Sequence, residues 1–346
     1  MDGSGDVDGF IELDGVEKVF RVRRRTGRWR REVREVRAVD GISFRVPRGA
    51  MVGYIGPNGA GKSTTIKMLT GVLTPSGGRI RVAGTDPSRE RVRLARRIGV
   101  VFGQRTTLWW DLPLRESYVL VRRLYRVPEA RWRANLERCV ELLELGALLD
   151  VPVRQLSLGQ RMRGDIAAAL LHDPEVLYLD EPTIGLDVVS KARVREFLRN
   201  VNAERGVTVL LTTHDLTDIE QLCDRVMVID HGRLVYDGGL EGLHRVGGSE
   251  RVLVVDLERE AEPIRVEGAR PVRVEGPRQW LAFPAGASAA PLVARIAAEY
   301  PLVDLSVREP DIEDVIARMY ERGAAVRGGG EDAPSRAVDA GDVPTA

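Results

Sequence analysis

An eight-residue glycine-rich segment carries the most specific chemistry in this sequence. It follows an apolar run, Met51 to Ile55, and precedes a helical run, Thr64 to Leu73. It fits the pattern G-x-x-x-x-G-K-[ST] through Gly56, Pro57, Asn58, Gly59, Ala60, Gly61, Lys62 and Ser63. Between a strand and a helix, such a loop turns its backbone N–H groups, and the positive end of the helix dipole, towards phosphate oxygens. The segment therefore predicts a nucleotide phosphate site, with Lys62 reaching the β and γ phosphates and the Ser63 hydroxyl binding Mg²⁺.

Lysine is rare in this chain, which gives the lysine of the loop more weight. Of the 52 basic residues only four are lysines, and all others are arginines. A compact ammonium on a flexible stem fits a phosphate loop, whereas the broad fork of arginine does not. A chance match to the loop pattern is accordingly rare.

Two adjacent carboxylates follow another apolar run, Val176 to Leu179. Asp180 stands where the predicted strand ends, which suits a ligand in the shell of Mg²⁺. Glu181 follows at the exposed tip and can act as general base on the attacking water. A strand-end turn with incidental acids would explain the pair alone, but it fits poorly beside the phosphate loop.

Composition excludes several classes of protein. The chain has 346 residues, 52 basic and 51 acidic side chains, and 43% hydrophobic residues, which rules out a collagen, a disulfide knot and a wholly disordered chain. Cys139 and Cys223 lie far apart, without partners at metal-ligand spacing, so we expect two buried thiols in a reducing cytosol. The acidic segment Met1 to Asp8 predicts no signal peptide, and no window approaches the ~20 apolar residues of a transmembrane helix.

Residues 10–245 alternate short β-branched runs with helical stretches, which predicts an α/β domain. The strand candidates are Ile42 to Val46, Met51 to Ile55, Ile98 to Phe102, Val176 to Leu179, Val207 to Leu211 and Arg225 to Ile229. The stretch from Leu114 to Leu149 has a 3.6-residue apolar period interrupted by Pro128. It predicts two helices inserted into the α/β frame, within a helical subdomain of about residues 105–165.

A glycine pair, Gly247 and Gly248, indicates a linker to a second region. Residues 250–323 predict a small α+β accessory domain. Its expected strands are Val252 to Val255, Ile264 to Val266, Val272 to Val274 and Trp280 to Phe283, with helices at Ala289 to Tyr300 and Asp311 to Arg322. Residues 326–346 hold little that could be buried, so we expect a disordered tail.

The segment from Arg21 to Arg37 is the one strong charge run, with nine arginines, two glutamates and a net charge of +7 over 17 residues. Three interpretations are open. The simplest is a solvated insertion loop. The second is contact with anionic lipid headgroups or an acidic partner, because clustered cations gain ~1 kcal/mol each near an anionic membrane. The third is binding to nucleic acid. The net charge of +1 for the whole chain predicts no overall attraction to nucleic acid or to a membrane.

A five-residue segment before Asp180 separates one family of phosphate-loop proteins from the others. Leu156, Ser157, Leu158, Gly159 and Gln160 resemble the Leu-Ser-Gly-Gly-Gln signature of ABC ATPases. Leu158 stands where that family usually has glycine, whereas Ser157 and Gly159, which face the nucleotide in the family, are retained. The resemblance covers about residues 10–245 and implies a P-loop NTPase fold of the ABC type.

Further markers of the family follow in order. Gln104 resembles the glutamine that senses Mg²⁺ and water, Ile184 to Asp187 the loop through which two such domains touch, and His214 the histidine at the γ-phosphate. The resemblance implies nucleotide contacts from Phe20, Gly56, Pro57, Asn58, Gly59, Ala60, Gly61, Lys62, Ser63, Thr64, Ser157, Gly159, Gln160 and Asp187. It implies Mg²⁺ contacts from Ser63, Gln104 and Asp180, and catalysis by Glu181, His214 and Gln104. Phe20 is the candidate for stacking on adenine, and Trp29 competes with it.

In the family, two ATP molecules are held between two domains paired head to tail, so the resemblance implies pairing with a second copy or a close relative. Ser157 would then act in trans. The cofactors implied are ATP and Mg²⁺, and the partner is an integral membrane permease, which places the chain at the cytoplasmic face of the membrane.

The markers are similar to those of exporter-type bacterial ATPases, including drug and natural-product efflux systems. Phe102 to Arg105 and Leu108 to Pro113 resemble a branch associated with viologen export. Trp109 and Trp110 either dock the permease or belong to the core of the helical insertion. A binding-protein-dependent importer and a cytosolic ABC ATPase acting on nucleic acid remain the alternatives.

Overall fold

The computed structural model describes residues 9–25, 31–103, 105–213, 215–246, 250–284 and 287–308. The chain divides into two compact units, with the division between Leu240 and Glu241. The first unit contains a three-stranded and a six-stranded sheet, and the second contains a four-stranded sheet.

The strands of the first unit are β1 (Ile11–Arg25), β2 (Arg31–Val46), β3 (Met51–Ile55), β4 (Gly77–Val82), β5 (Ile98–Phe102), β6 (Val176–Asp180), β7 (Thr208–Thr212), β8 (Arg225–Asp230) and β9 (Arg233–Gly238). Its helices are α1 (Lys62–Leu69), α2 (Arg91–Ala95), α3 (Leu114–Tyr125), α4 (Glu129–Leu142), α5 (Leu158–Leu170), α6 (Val188–Arg205) and α7 (Leu216–Leu222), and α8 (Leu240–Val246) begins at its end. Two short 3₁₀ helices lie at Gly146–Leu148 and Val153–Gln155.

The six-stranded sheet has the order β5-β6-β7-β3-β8-β9, and all its strands are parallel except β9. Strands β3 and β7 are buried along their whole length, as expected for a parallel sheet covered on both faces. The predicted strands in this sheet coincide with the observed ones to within one residue. The α/β prediction is therefore confirmed for this unit.

Three neighbouring strands of this sheet end in register. Phe102 at the end of β5 pairs with Asp180 of β6, which pairs with Thr212 of β7. Because the strands are parallel, the segments that leave them all emerge at the same edge. The loop after β3 emerges at that edge too, since β3 is parallel to β7.

The two helices predicted in the insertion are present as α3 and α4, separated at Pro128. Their apolar stripes are buried through Leu114, Tyr118 and Val121 of α3 and through Trp132 and Cys139 of α4. Both helices contact α5. They therefore connect the insertion to the helix that follows Ser157.

The arginine-rich run is strand, so the insertion-loop interpretation is wrong for its described residues. β1 and β2 form an antiparallel hairpin in which Phe20 pairs with Val36, Arg21 with Glu35 and Val22 with Arg34. Arg21 donates a hydrogen bond from Nε to Oε1 of Glu35 at 3.0 Å. β-Branched valines and opposite-charge cross-strand pairs favour a strand ladder over a loop.

Among the residues that the structure describes, the second unit contains most of α8, followed by four antiparallel strands in the order β11-β12-β10-β13 and a further helix. They are β10 (Glu250–Leu257), β11 (Arg270–Glu275), β12 (Arg278–Pro284), α9 (Ala290–Glu299) and β13 (Leu302–Arg308). Leu253, Val255 and Phe283 of the sheet and Leu292 and Ile296 of α9 form its apolar core.

Two predictions for this unit are corrected. Ile264 to Val266 is not a strand: Val266 makes one isolated bridge with Ala269, and Ile264 is buried while its N–H donates to Oε1 of Gln279. Strand β13 was not predicted. The helix expected at Asp311 to Arg322 and the tail at 326–346 lie outside the described residues.

Cys139 and Cys223 are both free and buried, as predicted. Burial raises the pKa of each thiol to about 12, so both are protonated at neutral pH and unreactive as nucleophiles. In the part of the chain that the structure describes, no helix is both long enough and apolar enough to span a bilayer.

Candidate functional site

The glycine-rich loop joins β3 to α1, and two of its glycines cannot carry a side chain. A Cβ on Gly56 would lie 2.2 Å from the carbonyl oxygen of Ile229. Gly61 precedes α1 with φ at +110°, and a Cβ there would lie 2.4 Å from the carbonyl oxygen of Ala38. Glycine is required at both positions because backbone atoms of neighbouring segments close against the loop.

Lys62 is the first residue of α1 and is only 7% exposed. Its Nζ donates to the carbonyl oxygens of Gly56 at 2.5 Å and Pro57 at 3.1 Å, so the ammonium lies inside the curve of the loop. Burial lowers the pKa of Lys62, while the negative charges of Glu181 and Asp180 act in the opposite direction. The ammonium therefore lies within electrostatic reach of both carboxylates.

Ser63 and Thr64 occupy the next two positions of α1, where Ser63 is exposed and Thr64 half-buried. The following residue, Thr65, is buried and donates its hydroxyl hydrogen to the carbonyl oxygen of Gly61 at 3.1 Å. That bond is within the helix, so Thr65 supports the loop, whereas Ser63 presents its hydroxyl to solvent. A serine hydroxyl and the Asp180 carboxylate are hard oxygen donors, which fit Mg²⁺.

Asp180 and Glu181 lie at the end of β6, and both are half-buried. Oδ1 of Asp180 accepts a hydrogen bond from the Thr212 hydroxyl at 2.5 Å, and the Glu181 N–H donates to the Thr212 carbonyl at 2.9 Å. Glu181 has φ at +54°, in the left-handed region that non-glycine residues rarely adopt. Such strain at a strand end is typical of functional sites.

Gln104, His214 and Trp29 lie outside the described residues. Their chain neighbours are described. Gly103 donates its N–H to the carbonyl of Asp180 at 2.7 Å, and a Cβ on Gly103 would lie 2.7 Å from that same oxygen. The backbone that leads to Gln104 therefore runs directly against the Asp180–Glu181 pair. The roles of Gln104 and His214 stay predictions.

The segment resembling the signature begins α5. Ser157 precedes the helix, its Oγ accepts from the Gln160 N–H at 3.2 Å, and Oε1 of Gln160 accepts from the Ser157 N–H at 2.9 Å. This reciprocal capping box fixes the helix start and explains why serine and glutamine stand three residues apart. Ser157 is exposed at the positive end of a 13-residue helix, which suits an anion supplied by another subunit.

Leu158, the residue that departs from the usual signature, packs against the loop after β6. A Cβ on Gly185 would lie 2.4 Å from Cδ2 of Leu158, and a Cβ on Gly159 would lie 3.2 Å from Cδ2 of Leu186. Asp187 caps α6 by accepting from the Ser190 N–H at 2.9 Å. The side-chain hydrogen bond from Ser190 holds the pKa of Asp187 below its usual value.

Phe20 is half-buried in β1, with the ammonium of Lys18 5.2 Å from its ring centroid. Its role on adenine stays a prediction.

Trp109 and Trp110 lie between β5 and α3 and are 41% and 50% exposed, so the core interpretation of this pair is wrong. The guanidinium of Arg161 on α5 lies 5.5 Å from the Trp110 ring centroid.

Sequence reasoning missed two buried carboxylates next to the site. Oδ1 of Asp165 on α5 accepts from the hydroxyls of Thr106 and Thr107 and from the Thr107 N–H, at 2.9–3.0 Å. Burial raises the pKa of Asp165. Asp218 on α7 is the second, and it contacts Thr183 and Thr213. The only feature of the sequence that indicates either buried carboxylate is an aspartate within an otherwise apolar helical stripe. That feature does not identify the hydrogen-bond donors.

Comparison with known proteins decides the family. A profile described as ABC transporter matches residues 39–184. The daunorubicin resistance ATP-binding protein DrrA3 of Streptomyces coeruleorubidus is 39% identical over 248 residues, which cover 72% of this chain and 74% of that protein. The chain belongs to the ABC transporter family. It is an ATP-binding subunit of that family and carries its ATPase domain.

Other ABC transporter proteins agree with this assignment. The Nod factor export ATP-binding protein I of Paraburkholderia xenovorans is 42% identical over 210 residues, covering 60% of this chain and 68% of that protein. A dimeric ATP-binding cassette bound to ADP and Pi in a post-hydrolysis state matches with a TM-score of 0.58 at 25% identity, covering 66% of this chain and 98% of that one. The cbiO1 subunit of the ABC transporter complex cbiONQ from Clostridium perfringens matches with a TM-score of 0.57 at 28% identity, covering 68% and 90%.

Proposed function

We propose that this chain is the ATPase of a bacterial ABC exporter, which pairs with a second copy or a close relative and drives a small drug-like or natural product through a separate membrane permease. The observation that carries the ATPase part is the convergence of Lys62, Asp180 and Glu181 at one edge of the six-stranded sheet. Export is supported by two of the relatives, a daunorubicin resistance ATP-binding protein and a Nod factor export ATP-binding protein.

In the proposed reaction, the backbone N–H groups of the glycine-rich loop and the Lys62 ammonium bind the phosphates of ATP and stabilise charge on the transferred group. Glu181 accepts a proton from the attacking water as general base. The Glu181 N–H donates to the Thr212 carbonyl of β7, and this hydrogen bond fixes the position of the backbone that carries the carboxylate. Gln104 and His214 are assigned to the same centre by the family resemblance.

Ser63 and Asp180 would hold Mg²⁺, with Gln104 as the third contact that the resemblance implies. When bound, the ion neutralises negative charge on the β and γ phosphates. Asp180 is oriented for this task by the hydroxyl of Thr212, which occupies its Oδ1.

Ser157 and the start of α5 would complete the nucleotide site of the partner subunit. Its hydroxyl and the helix N-terminus offer hydrogen bonds and a positive dipole to the partner's γ-phosphate. The exposure of Ser157 leaves that surface accessible.

The permease would contact the surface formed by Trp109 and Trp110, because exposed aromatic pairs are common anchors of protein interfaces. The pair follows the segment that leaves β5 towards Gln104, so docking would act directly on the site. These contacts would hold the chain at the cytoplasmic face of the membrane.

The hairpin of β1 and β2 would add contact with anionic lipid headgroups. Arg34 and Val22 form a directly opposed pair, both are exposed, and Val36 next to them is exposed as well. A cation beside exposed apolar side chains suits the boundary between headgroups and acyl chains. Arg34→Glu should weaken binding of the chain to phosphatidylglycerol vesicles by at least 1 kcal/mol, about fivefold or more. The control is Arg89→Glu, at another exposed arginine outside the hairpin, which should not weaken binding.

The proposed function is tested with the chain and its cognate permease reconstituted together in proteoliposomes. Glu181→Gln should lower ATP turnover at least a hundredfold and abolish export of an accumulated anthracycline probe, while nucleotide binding persists. Turnover of Glu181→Gln at the unsubstituted rate would contradict the catalytic assignment.

Trp109→Ala should uncouple transport from hydrolysis in the same vesicles, leaving basal ATP turnover intact. Transport by this variant at the unsubstituted rate would contradict the docking surface, and uptake that requires an added solute-binding protein would contradict the exporter assignment.

A further inference from the structure

The carboxylate of Asp218 on α7 is a buried charge that accepts hydrogen bonds from three side chains. This residue has no exposed surface. It accepts hydrogen bonds from Nε of Arg195 at 2.6 Å, from the hydroxyl of Thr213 at 2.9 Å and from the hydroxyl of Thr183. The three donors come from α6, from the segment after β7 and from the turn after β6. One carboxylate thus joins three segments that are distant in sequence.

The turn held by Thr183 is the one that begins at Glu181. The N–H of Ile184 donates to the Glu181 carbonyl at 3.3 Å, and the N–H of Leu186 donates to the Thr183 carbonyl at 3.2 Å. Glu181 itself is in the left-handed region, with φ at +54°. A backbone in that region persists only where its surroundings fix it, and the Thr183 side chain connects this turn to buried Asp218.

The network around Asp218 is balanced in charge. Arg195 also approaches Asp215 at 3.4 Å, and Lys191 donates to Asp215 at 2.5 Å, so two cations face two anions. A buried carboxylate is costly unless it is fully paired. Here the ion pairs hold the Asp218 oxygens in place. The hydroxyls of Thr183 and Thr213 donate to those oxygens, which fixes the positions of both threonines.

We infer that Asp218 is a positioning residue for ATP hydrolysis, which acts through Thr183 on the turn that carries Glu181 and through Thr213 on the end of β7. The inference rests on the proposed role of Glu181 as general base. A general base must lie within hydrogen-bond reach of its water, and a displacement of about 1 Å can cost on the order of a hundredfold in rate. Asp218 therefore contributes to turnover without touching the nucleotide.

The test uses steady-state ATP hydrolysis and nucleotide affinity of the full chain. Thr183→Val removes the hydroxyl at constant side-chain shape and should lower kcat about 10- to 100-fold, with KM and ATP affinity changed less than twofold. Thr183→Ser retains the hydroxyl and should restore kcat. Asp218→Asn should lower kcat at least as much as Thr183→Val.

Thr208→Val is the matched control. Thr208 is a fully buried threonine at the opposite end of β7, and its hydroxyl accepts from the Gly49 N–H at 2.8 Å. It should lower the melting temperature by an amount similar to Thr183→Val but leave kcat within twofold of the unsubstituted chain. If Asp218→Asn does not fold, the comparison of Thr183→Val with Thr183→Ser and Thr208→Val still tests the positioning role.

Three results would overturn the inference, and they are distinguishable. Should Glu181→Gln abolish turnover while Thr183→Val keeps an unchanged kcat, the positioning role is wrong and the base assignment survives. Should Glu181→Gln turn over normally, the base assignment fails and the inference fails with it. A kcat loss in Thr208→Val equal to that in Thr183→Val would also reject positioning in favour of general destabilisation.

Discussion

At the scale of single residues, the nucleotide loop depends on backbone contacts that a side chain would break. Gly61 combines φ at +110° with the Ala38 carbonyl oxygen 2.4 Å from the place of a Cβ. A backbone oxygen cannot move aside as the tip of a flexible side chain can. The spacing of glycines in the loop is therefore a consequence of packing as well as of phosphate binding.

Gly61→Ala should consequently abolish tight ATP binding, with affinity reduced at least tenfold, and destabilise the first unit by more than 2 kcal/mol. Gly84→Ala is the control, because Gly84 also has a positive φ, +72°, but no atom within 4 Å of the added Cβ. It should cost only about 1 kcal/mol and leave ATP affinity unchanged. Equal melting temperatures and equal ATP affinities for the two variants would contradict the prediction.

The departure from the usual signature at Leu158 also has a structural counterpart at the residue scale. Its side chain covers Gly185, a glycine with φ at +68°. The leucine therefore occupies space over the loop that precedes Asp187, and it links the start of α5 to that loop in the same chain.

At the scale of elements, Ser157 has a structural task in α5 that is separate from its proposed contact with a partner's nucleotide. Its hydroxyl forms the capping box with Gln160. Any substitution of Ser157 therefore changes helix stability as well as catalysis, unless the new residue also caps.

Ser157→Asp separates the two tasks, because aspartate is a good N-cap but places negative charge at a phosphate site. We expect Ser157→Ala to lower stability by about 1 kcal/mol and to reduce ATP turnover. Ser157→Asp should keep the unsubstituted melting temperature and still lose turnover. Thermal unfolding and ATPase assays on both variants provide the check, and an active Ser157→Asp chain would argue against the contact in trans.

The hairpin of β1 and β2 is the element whose nature the charge pattern concealed. Nine arginines suggested a solvated loop, yet β-branched valines stand between them, and Arg21 pairs with Glu35 across the ladder. The β-branched residues that favour a strand were present in the run, but its net charge of +7 indicated a loop instead. Cross-strand pairing then decided the structure.

At the scale of the whole molecule, a cluster of exposed apolar side chains surrounds the loop between β6 and α6. Ile184, Val188 and Val189 are 39%, 83% and 58% exposed, and Leu158 lies beside them. Exposed apolar residues grouped around a functional loop are typical of an interface. This surface lies next to Ser157, as a head-to-tail dimer would require.

Val188→Asp should therefore prevent dimer formation in the presence of ATP. Analytical ultracentrifugation of a chain that carries both Val188→Asp and Glu181→Gln would measure this. A charge in the centre of an apolar interface is costly to bury. ATP affinity of the monomer should remain unchanged. Val92→Asp, a substitution of another exposed valine, on α2, is the control and should still form the dimer. Dimers of equal affinity in both variants would contradict this placement of the interface.

The sequence by itself determined those structural elements of this protein that are formed by contiguous residues. The strand before Gly56, the loop, the strand that ends at Asp180 and the capping box of Ser157 are each encoded by contiguous residues, because their backbone requirements are local. For the same reason Pro128 marked the break between α3 and α4.

Only the tertiary structure decided which distant residues meet. Asp218 and Thr183 are 35 positions apart, and Leu158 and Gly185 are 27 apart, so no local period or motif connects them. Their contacts exist because parallel strands β6 and β7 bring their ends to one edge of the sheet and α5, α6 and α7 pack around that edge. Burial of a charge there demands partners, and only the fold supplies them.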